Sequence, residues 1–307
     1  MSKDFEPIPS EILFLKEKIF SYGCHVFFDI DGTIKGSYTP EAPAGFDPKL
    51  PYLLATLNDI PGISVGVCTS QSPKELHSFL LRMDSVIDGK LLNGLSVLED
   101  GHILVESGSY MLTDYIKLIS PEAKKQIDTL KAELKRLWIP ADDTQLAKDG
   151  WGFFPGVVTP VALPEGKYQG AVTMSVWERG PDINNPSYQG QYEPVAAFVS
   201  QLAQNLGTDL VECKEAGNGT LRIVEQGKSK ESALATLANQ GIIELKNTVY
   251  VGDGLNDIAP AQLVTSHGGG LVAVSNAIPE LKVMATYNTK NQFSHGVVET
   301  LSLILLS

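Results

Sequence analysis

The sequence predicts an α/β protein with a doubly wound, Rossmann-like parallel sheet, interrupted by an inserted α+β cap domain. Three observations predict it. Short apolar runs at 25–30, 63–68, 248–251 and 271–274 each end in a turn rich in Gly, Ser, Thr or Asp, as buried parallel strands do. Helix-like segments separate these runs, the alternation that winds a parallel sheet. Between them lie half-covered strands and amphipathic helices, the pattern of a separate module. The expected core is 1–106 with 216–307, and the expected insert is 107–215.

Taken in order, Ser10 is placed to cap a helix carrying Ile12, Leu13, Leu15 and Phe20. The strand at 25–30 leads into a Pro- and Gly-rich loop that runs to Pro51, followed by a helical segment at 51–57 and the second buried strand at 63–68. Ser72-Pro73-Lys74-Glu75 marks a helix start, with Ser72 as N-cap, Pro73 at the first helical position and Glu75 closing a capping box. In the middle, Ser120-Pro121 opens a helix with Ile127, Leu130, Leu134 and Leu137 on one face. Residues 151–164 read as loop or short strand, and 171–177 alternate as a strand with one covered face does. A loop is expected at 181–191. A helix lined by Val195, Phe198, Val199, Leu202 and Leu206 then stops at Gly207. Strand-like runs follow at 210–213 and 221–224. Winding alternation returns with helices at 229–239 and 258–263 and strands at 248–251 and 271–274.

The composition narrows the function classes. A chain of 307 residues with 43% hydrophobic content can bury a sizeable core, and its formal charge of −12 argues against nonspecific nucleic-acid binding, which needs many cations to neutralise phosphates. It leaves room for a small phosphorylated partner, because one lysine and a bound cation make a local positive site. The start, Met1-Ser2-Lys3-Asp4-Phe5-Glu6, lacks the basic-then-apolar pattern of a signal peptide. No apolar run approaches the roughly 18 residues of a membrane span. Three cysteines, two of them in or beside apolar strands, read as buried thiols. The expectation is a cytoplasmic protein with no membrane partner.

The chemistry-bearing residues fall at the ends of the predicted strands, where ligands bind in a doubly wound sheet. Phe27-Phe28-Asp29-Ile30-Asp31-Gly32-Thr33-Ile34 puts two carboxylates two residues apart. Strand alternation would place them on one face, where they repel unless a cation or a shared proton compensates. Thr69 and Ser70 follow the second strand, beside a helix N-terminus that suits an anion. Lys230 lies in the first turn of the helix begun by Ser229, with Lys228 as its competitor. Gly252-Asp253-Gly254-Leu255-Asn256-Asp257 follows another strand. Singly these are ordinary turn residues; in this order, each after an apolar strand, they favour catalysis.

This order resembles the four motifs of the haloacid dehalogenase-like superfamily, a group dominated by Mg²⁺-dependent phosphatases. The resemblance implies Asp29 as nucleophile and Asp31 as general acid and then base. It implies Thr69, Ser70, Lys230 and Asn256 as phosphate-binding residues, and Asp29, Asp31 (through its carbonyl), Asp253 and Asp257 around Mg²⁺. Asn93-Gly94 with the hairpin-like 97–101, and the tail at 271–277 and 291–297, resemble the Cof-type sugar phosphatases, whose α+β cap sits between the second and third motifs. Gln71 and Ser72 depart from the Gly-Arg that often follows the second-motif Thr. The implied activity is hydrolysis of a phosphomonoester through an aspartyl-phosphate, on a sugar phosphate or similar small phosphorylated metabolite. A phosphomutase or phosphotransferase, or a non-catalytic phosphoryl-binding module, are the competing readings. Trp151, Phe153, Phe154, Trp177 and Tyr188 are read mainly as packing of the insert, and the five histidines show no metal-ligand spacing.

Overall fold

The computed structural model describes residues 8–36, 44–84, 91–105, 115–142, 148, 150–163, 171–176, 192–215 and 220–306. The loop expected at 181–191, with Tyr188, and also Trp177 lie outside these residues. The chain divides into two compact units, Met1–Ile116 with Ser229–Ser307, and Lys117–Lys228.

The first unit opens with α1 (Ser10–Ile19), β1 (Cys24–Phe28), α2 (Leu50–Asn58), β2 (Ile63–Val67) and α3 (Pro73–Asp84), then a hairpin of β3 (Ser96–Leu98) and β4 (Ile103–Val105); β5 (Tyr115–Lys117) begins in it and ends on the first residue of the second. The second contains α4 (Pro121–Leu137), β6 (Ile139–Pro140), β7 (Trp151–Phe153), β8 (Val161–Ala162), β9 (Val172–Ser175), α5 (Tyr192–Asn205), β10 (Val211–Glu215) and β11 (Thr220–Glu225). The chain returns to the first unit with α6 (Lys230–Asn239), β12 (Thr248–Gly252), α7 (Ile258–Ser266), β13 (Gly270–Ala273), α8 (Pro279–Met284), β14 (Tyr287–Asn288) and α9 (Phe293–Leu305).

The central sheet is five-stranded, ordered β14-β13-β12-β1-β2, and all its pairings are parallel. Its strands are apolar because both faces are covered: Val26, Phe28, Val65, Val67, Val249, Val251 and Val272 join Ile12 and Leu15 of α1 and Leu301 and Ile304 of α9 in one core, and the alternating Phe27, Tyr250, Leu271 and Ala273 are buried on the other face. The register pairs Phe28 with both Val67 and Val251, so the residues following β1, β2 and β12 emerge at one edge. The hairpin extends that edge, since Cys68 bridges to Val97 and the Thr69 N–H donates to the Val97 carbonyl at 2.9 Å.

Local signals place the helices. Ser72 and Glu75 form the expected reciprocal cap of α3, with Ser72 N–H donating to Glu75 Oε2 at 3.0 Å and Glu75 N–H to Ser72 Oγ at 3.3 Å. Ser229 caps α6 through Ser232. At α1 the N-cap is Pro9, and Ser10 is the first helical residue, its hydroxyl turned to Glu11.

The second unit has its own core. Ile127, Leu130 and Leu134 of α4 and Val199 of α5 pack on Val172, Met174, Leu221 and Ile223 of the antiparallel sheet β10-β11-β9. Phe154 is buried there and stacks on Phe198 with ring centroids 4.9 Å apart. Among the described residues no helix is long and apolar enough to cross a membrane. Cys24, Cys68 and Cys213 are free, and burial pushes the Cys24 and Cys213 thiols up to about 12.

Candidate active site

Asp29 is the first residue beyond β1 and is still held in the sheet, its N–H donating to the Val251 carbonyl at 2.8 Å. Its side chain is buried and meets Lys230, whose Nζ donates to Asp29 Oδ1 at 2.7 Å. Lys230 is only 1% exposed and is presented by the first turn of α6. The same Nζ donates to Asp257 Oδ1, also at 2.7 Å. Asp257 Oδ1 accepts a further bond from the Tyr250 hydroxyl, while Oδ2 accepts the backbone N–H groups of Asp253 and Gly254 at 3.0 and 2.9 Å. With four donors on its two oxygens, Asp257 is tied into the protein and fixes the lysine between two carboxylates.

Asp253 completes the cluster. Thr33 Oγ1 donates to Asp253 Oδ1 at 2.8 Å, and Asn276 Nδ2 donates to the Gly32 carbonyl at 2.8 Å and reaches Asp253 Oδ2 at 3.4 Å. Carboxylate oxygens of Asp29, Asp253 and Asp257 lie within 4.8 Å of one another. Three carboxylates against one lysine leave the site short of positive charge. Burial, opposed by Lys230 and reinforced by Asp257 and Asp253, holds the Asp29 carboxyl well above its ordinary range. Burial and then Asp257 push Asp253 up to about 6. A compact, all-oxygen, electron-rich donor set of this kind fits a hard divalent cation such as Mg²⁺.

That charge deficit has a thermodynamic signature. With its carboxyl at about 6 against a usual 3.8, Asp253 holds its proton more tightly when folded, so ionisation weakens the cation-free fold as pH rises through about 6. A bound cation offsets this only where Asp253 is ionised. Mg²⁺ is therefore expected to raise Tm more at about pH 7.5 than at about pH 5. Equal shifts at both pH values would remove Asp253 from the cation site.

Asp31 does not continue the strand. The backbone turns after Asp29, with Lys35 N–H donating to the Ile30 carbonyl and Gly32 at φ 90°. The alternation expected for a strand ending at residue 30 is lost, and the Asp31 side chain is 56% exposed where that of Asp29 is 7%. Its Oδ1 accepts from Lys35 Nζ at 2.6 Å and its Oδ2 from Gln71 Nε2 at 2.7 Å. Gly32 is required in two ways, since a Cβ there would meet Asp253 Oδ2 at 2.2 Å and a positive φ disfavours any side chain. Gly32→Ala is expected to cost about 2–4 kcal/mol of stability and, by displacing Asp253, to weaken Mg²⁺ binding on the order of tenfold. Unchanged Mg²⁺ affinity by titration calorimetry would contradict that placement of Asp253.

The second strand end supplies hydroxyls. Thr69 is buried, and its Oγ1 accepts the Gln71 N–H at 3.2 Å, which leaves its hydrogen to donate. Ser70 Oγ donates to Asp100 Oδ1 at 2.7 Å and accepts from Asn256 Nδ2 at 2.9 Å, so the second- and fourth-motif turns are joined directly. Asp100 belongs to the turn between β3 and β4, where Glu99 and Asp100 both take positive φ, 50° and 55°. Such non-glycine conformations cost about 1–3 kcal/mol each and persist where their surroundings hold them. Here the Glu99 and Asp100 N–H groups donate to the Gln71 and Thr69 carbonyls at 3.1 and 3.4 Å. Gly101 packs on the cap of α6, where a Cβ would meet the Ser229 carbonyl at 2.3 Å.

Of the residues expected from sequence, the structure brings together Asp29, Lys230, Asp253 and Asp257, and separately links Ser70 with Asn256. The Asp31 carboxylate lies outside the three-carboxylate cluster. Lys228 is held differently, its carbonyl accepting from Lys214 Nζ at 2.9 Å. Sequence reasoning missed Tyr250, Thr33, Asn276, Gln71 and Asp100. Asn276 follows β13 at the same sheet edge, so the strand-end rule extended to the fourth apolar run would have found it. Nothing local distinguishes Tyr250 from a core residue.

Comparison with known proteins agrees with this geometry. The family model for haloacid dehalogenase-like hydrolases matches residues 177–301. A phosphoglycolate phosphatase of Methanobrevibacter smithii is 32% identical over 98 residues, 32% of this chain and 40% of the relative. A Mycoplasma pneumoniae protein with a provisional phosphatase name is 30% identical over 131 residues, 41% of this chain and 43% of the relative. The matched segments thus span less than half the length of these curated relatives. Among solved structures, a haloacid dehalogenase-like hydrolase from Bacteroides thetaiotaomicron superposes with a TM-score of 0.58 at 16% identity, covering 93% of this chain and 100% of that one. The C-terminal domain of the C. albicans trehalose-6-phosphate phosphatase gives 0.57 at 15% identity, covering 98% of each chain; at these identities the likeness is one of fold. Residues 177–301 thus resemble the haloacid dehalogenase-like hydrolases in sequence, and the chain resembles a solved member in fold.

Proposed function

We propose that the protein is a Mg²⁺-dependent phosphomonoester hydrolase that works through an aspartyl-phosphate on a sugar phosphate or similar small phosphorylated metabolite. The observation that carries this reading is the buried Asp29–Lys230–Asp257 triad with Asp253 beside it. Burying two acids and a lysine beside a third, half-buried acid stabilises a fold poorly, but the arrangement suits a nucleophile that must approach a phosphate dianion. The names of the two curated relatives point the same way.

Asp29 attacks phosphorus as the bond to the leaving oxygen breaks, and Asp31 gives that oxygen a proton. Asp31 then takes a proton from the water that attacks the aspartyl-phosphate, which releases phosphate and restores Asp29. Lys230 neutralises charge on Asp29 and the phosphoryl group throughout. The Thr69 hydroxyl donates to a phosphoryl oxygen, and Asn256 with the Ser70 segment completes the phosphate-binding side. Asp29, Asp253 and Asp257, with the Asp31 carbonyl, would hold Mg²⁺, and Asp257 also orients Lys230. Bound Mg²⁺ would supply charge neutralisation as the phosphoryl group transfers.

The test is phosphate release over a panel of phosphorylated sugars, polyols, nucleotides and cofactors, with and without Mg²⁺. Mg²⁺-dependent release, strongest on sugar or polyol phosphates, is the expected result. A folded, Mg²⁺-binding protein silent on the whole panel would contradict it and favour phosphotransfer or simple binding.

A further inference from the structure

Gln71 holds an unusual position. It is 7% exposed, and its Nε2 donates to Asp31 Oδ2 at 2.7 Å while its Oε1 is buried without a hydrogen-bond partner among the described residues. A buried amide oxygen left unpaired works against folding. The opposite rotamer of the amide would aim that oxygen at the Asp31 carboxylate and lose the donated bond to Asp31. The fold keeps the side chain there by its backbone: the Gln71 N–H donates to Thr69 Oγ1, and its carbonyl accepts from Glu99 at the strained turn between β3 and β4. Two unfavourable features, an orphaned oxygen and consecutive positive φ values, thus converge on one contact. Features of this kind gather where geometry serves function more than stability.

We propose that Gln71 is a positioning residue for Asp31, its buried amide fixing the direction of a carboxylate that is otherwise open to solvent. Lys35 also reaches Asp31, but Lys35 is half-buried (28%) and Asp31 exposed (56%), and a solvent-screened ion pair defines geometry weakly. The amide donor is the partner that cannot wander. The proposal rests on the hydrolase reading above, in which Asp31 gives a proton to the leaving oxygen. A poor leaving group such as an alkoxide needs that proton; a nitrophenolate hardly does.

The test pairs Gln71→Met, which keeps length and removes both polar atoms, with Asp31→Asn and the double variant. Gln71→Met should be as stable as the wild type or more so, because the orphaned oxygen disappears and Asp31 can turn to water. Its kcat on glycerol phosphate should fall on the order of tenfold to a hundredfold, with KM little changed, while the first turnover of p-nitrophenyl phosphate is spared. In the Asp31→Asn background Gln71→Met should cost nothing further, as coupled neighbours require. Crystal structures of wild type and Gln71→Met should show the Asp31 carboxylate displaced in the variant. Equal losses on both substrates, additive losses in the double variant, or an unmoved Asp31 carboxylate would each overturn the proposal. A wild type inactive on both esters would count against the hydrolase reading alone, because the pair of crystal structures decides the contact without turnover.

Discussion

Asp29→Asn is expected to lower phosphate release by about a thousandfold or more while leaving the melting temperature unchanged or raised. The two halves of this result have separate causes. Turnover fails because an amide cannot attack phosphorus. Stability holds because the Asp29 carboxyl is pushed well above its ordinary range by burial, against Lys230 and with Asp257 and Asp253, so its charge burdens the cation-free fold at neutral pH. Asparagine keeps the shape and an oxygen for Lys230 and removes one of three crowded charges. Near-normal turnover would remove Asp29 as nucleophile, and a large fall in Tm would show that its charge supports the fold.

Lys230→Met should have the opposite balance. It removes the one cation that serves two buried carboxylates, and breaking a buried pair from one side costs about 3–5 kcal/mol. Burial alone would lower the lysine's pKa, but Asp257 and Asp29 more than compensate and hold it above the ordinary lysine range, so the loss is of a full charge at any physiological pH. Turnover should vanish with it, and adding Asp257→Asn should recover stability without recovering activity. A Lys230→Met variant that melts like the wild type and retains turnover would instead turn attention to Lys228.

Much of this arrangement was legible before any coordinates. Buried parallel strands must be apolar along their whole length, so β1, β2, β12 and β13 stood out. The turns after β1, β2 and β12 gather at one sheet edge, so Asp29, Thr69 and Asp253 stood out as candidates by position. Ser229 marked the register of Lys230 because a helix start has its own chemistry. What stayed hidden depends on distant partners. Thr33 reaches Asp253 across 220 residues and Asn276 reaches the Gly32 carbonyl across 244, and neither spacing leaves a local trace. The four donors that tie Asp257 to Lys230, Tyr250 and its own turn are likewise seen only in the structure. Asp31 was expected to share the face of Asp29, but the chain leaves the strand first. In the second unit β6, β7 and β8 are two or three residues long, too short for alternation to separate them from a Gly- and Pro-rich loop.

The most direct measurement is to trap the covalent intermediate. The protein is mixed with Mg²⁺ and its best substrate from the panel, quenched within one turnover, reduced with borohydride and mapped by mass spectrometry. The mechanism proposed here predicts reduction of the phosphorylated carboxyl at Asp29 alone, absent when substrate is omitted. Turnover with no modified carboxylate, or with the modification on another residue, would contradict it.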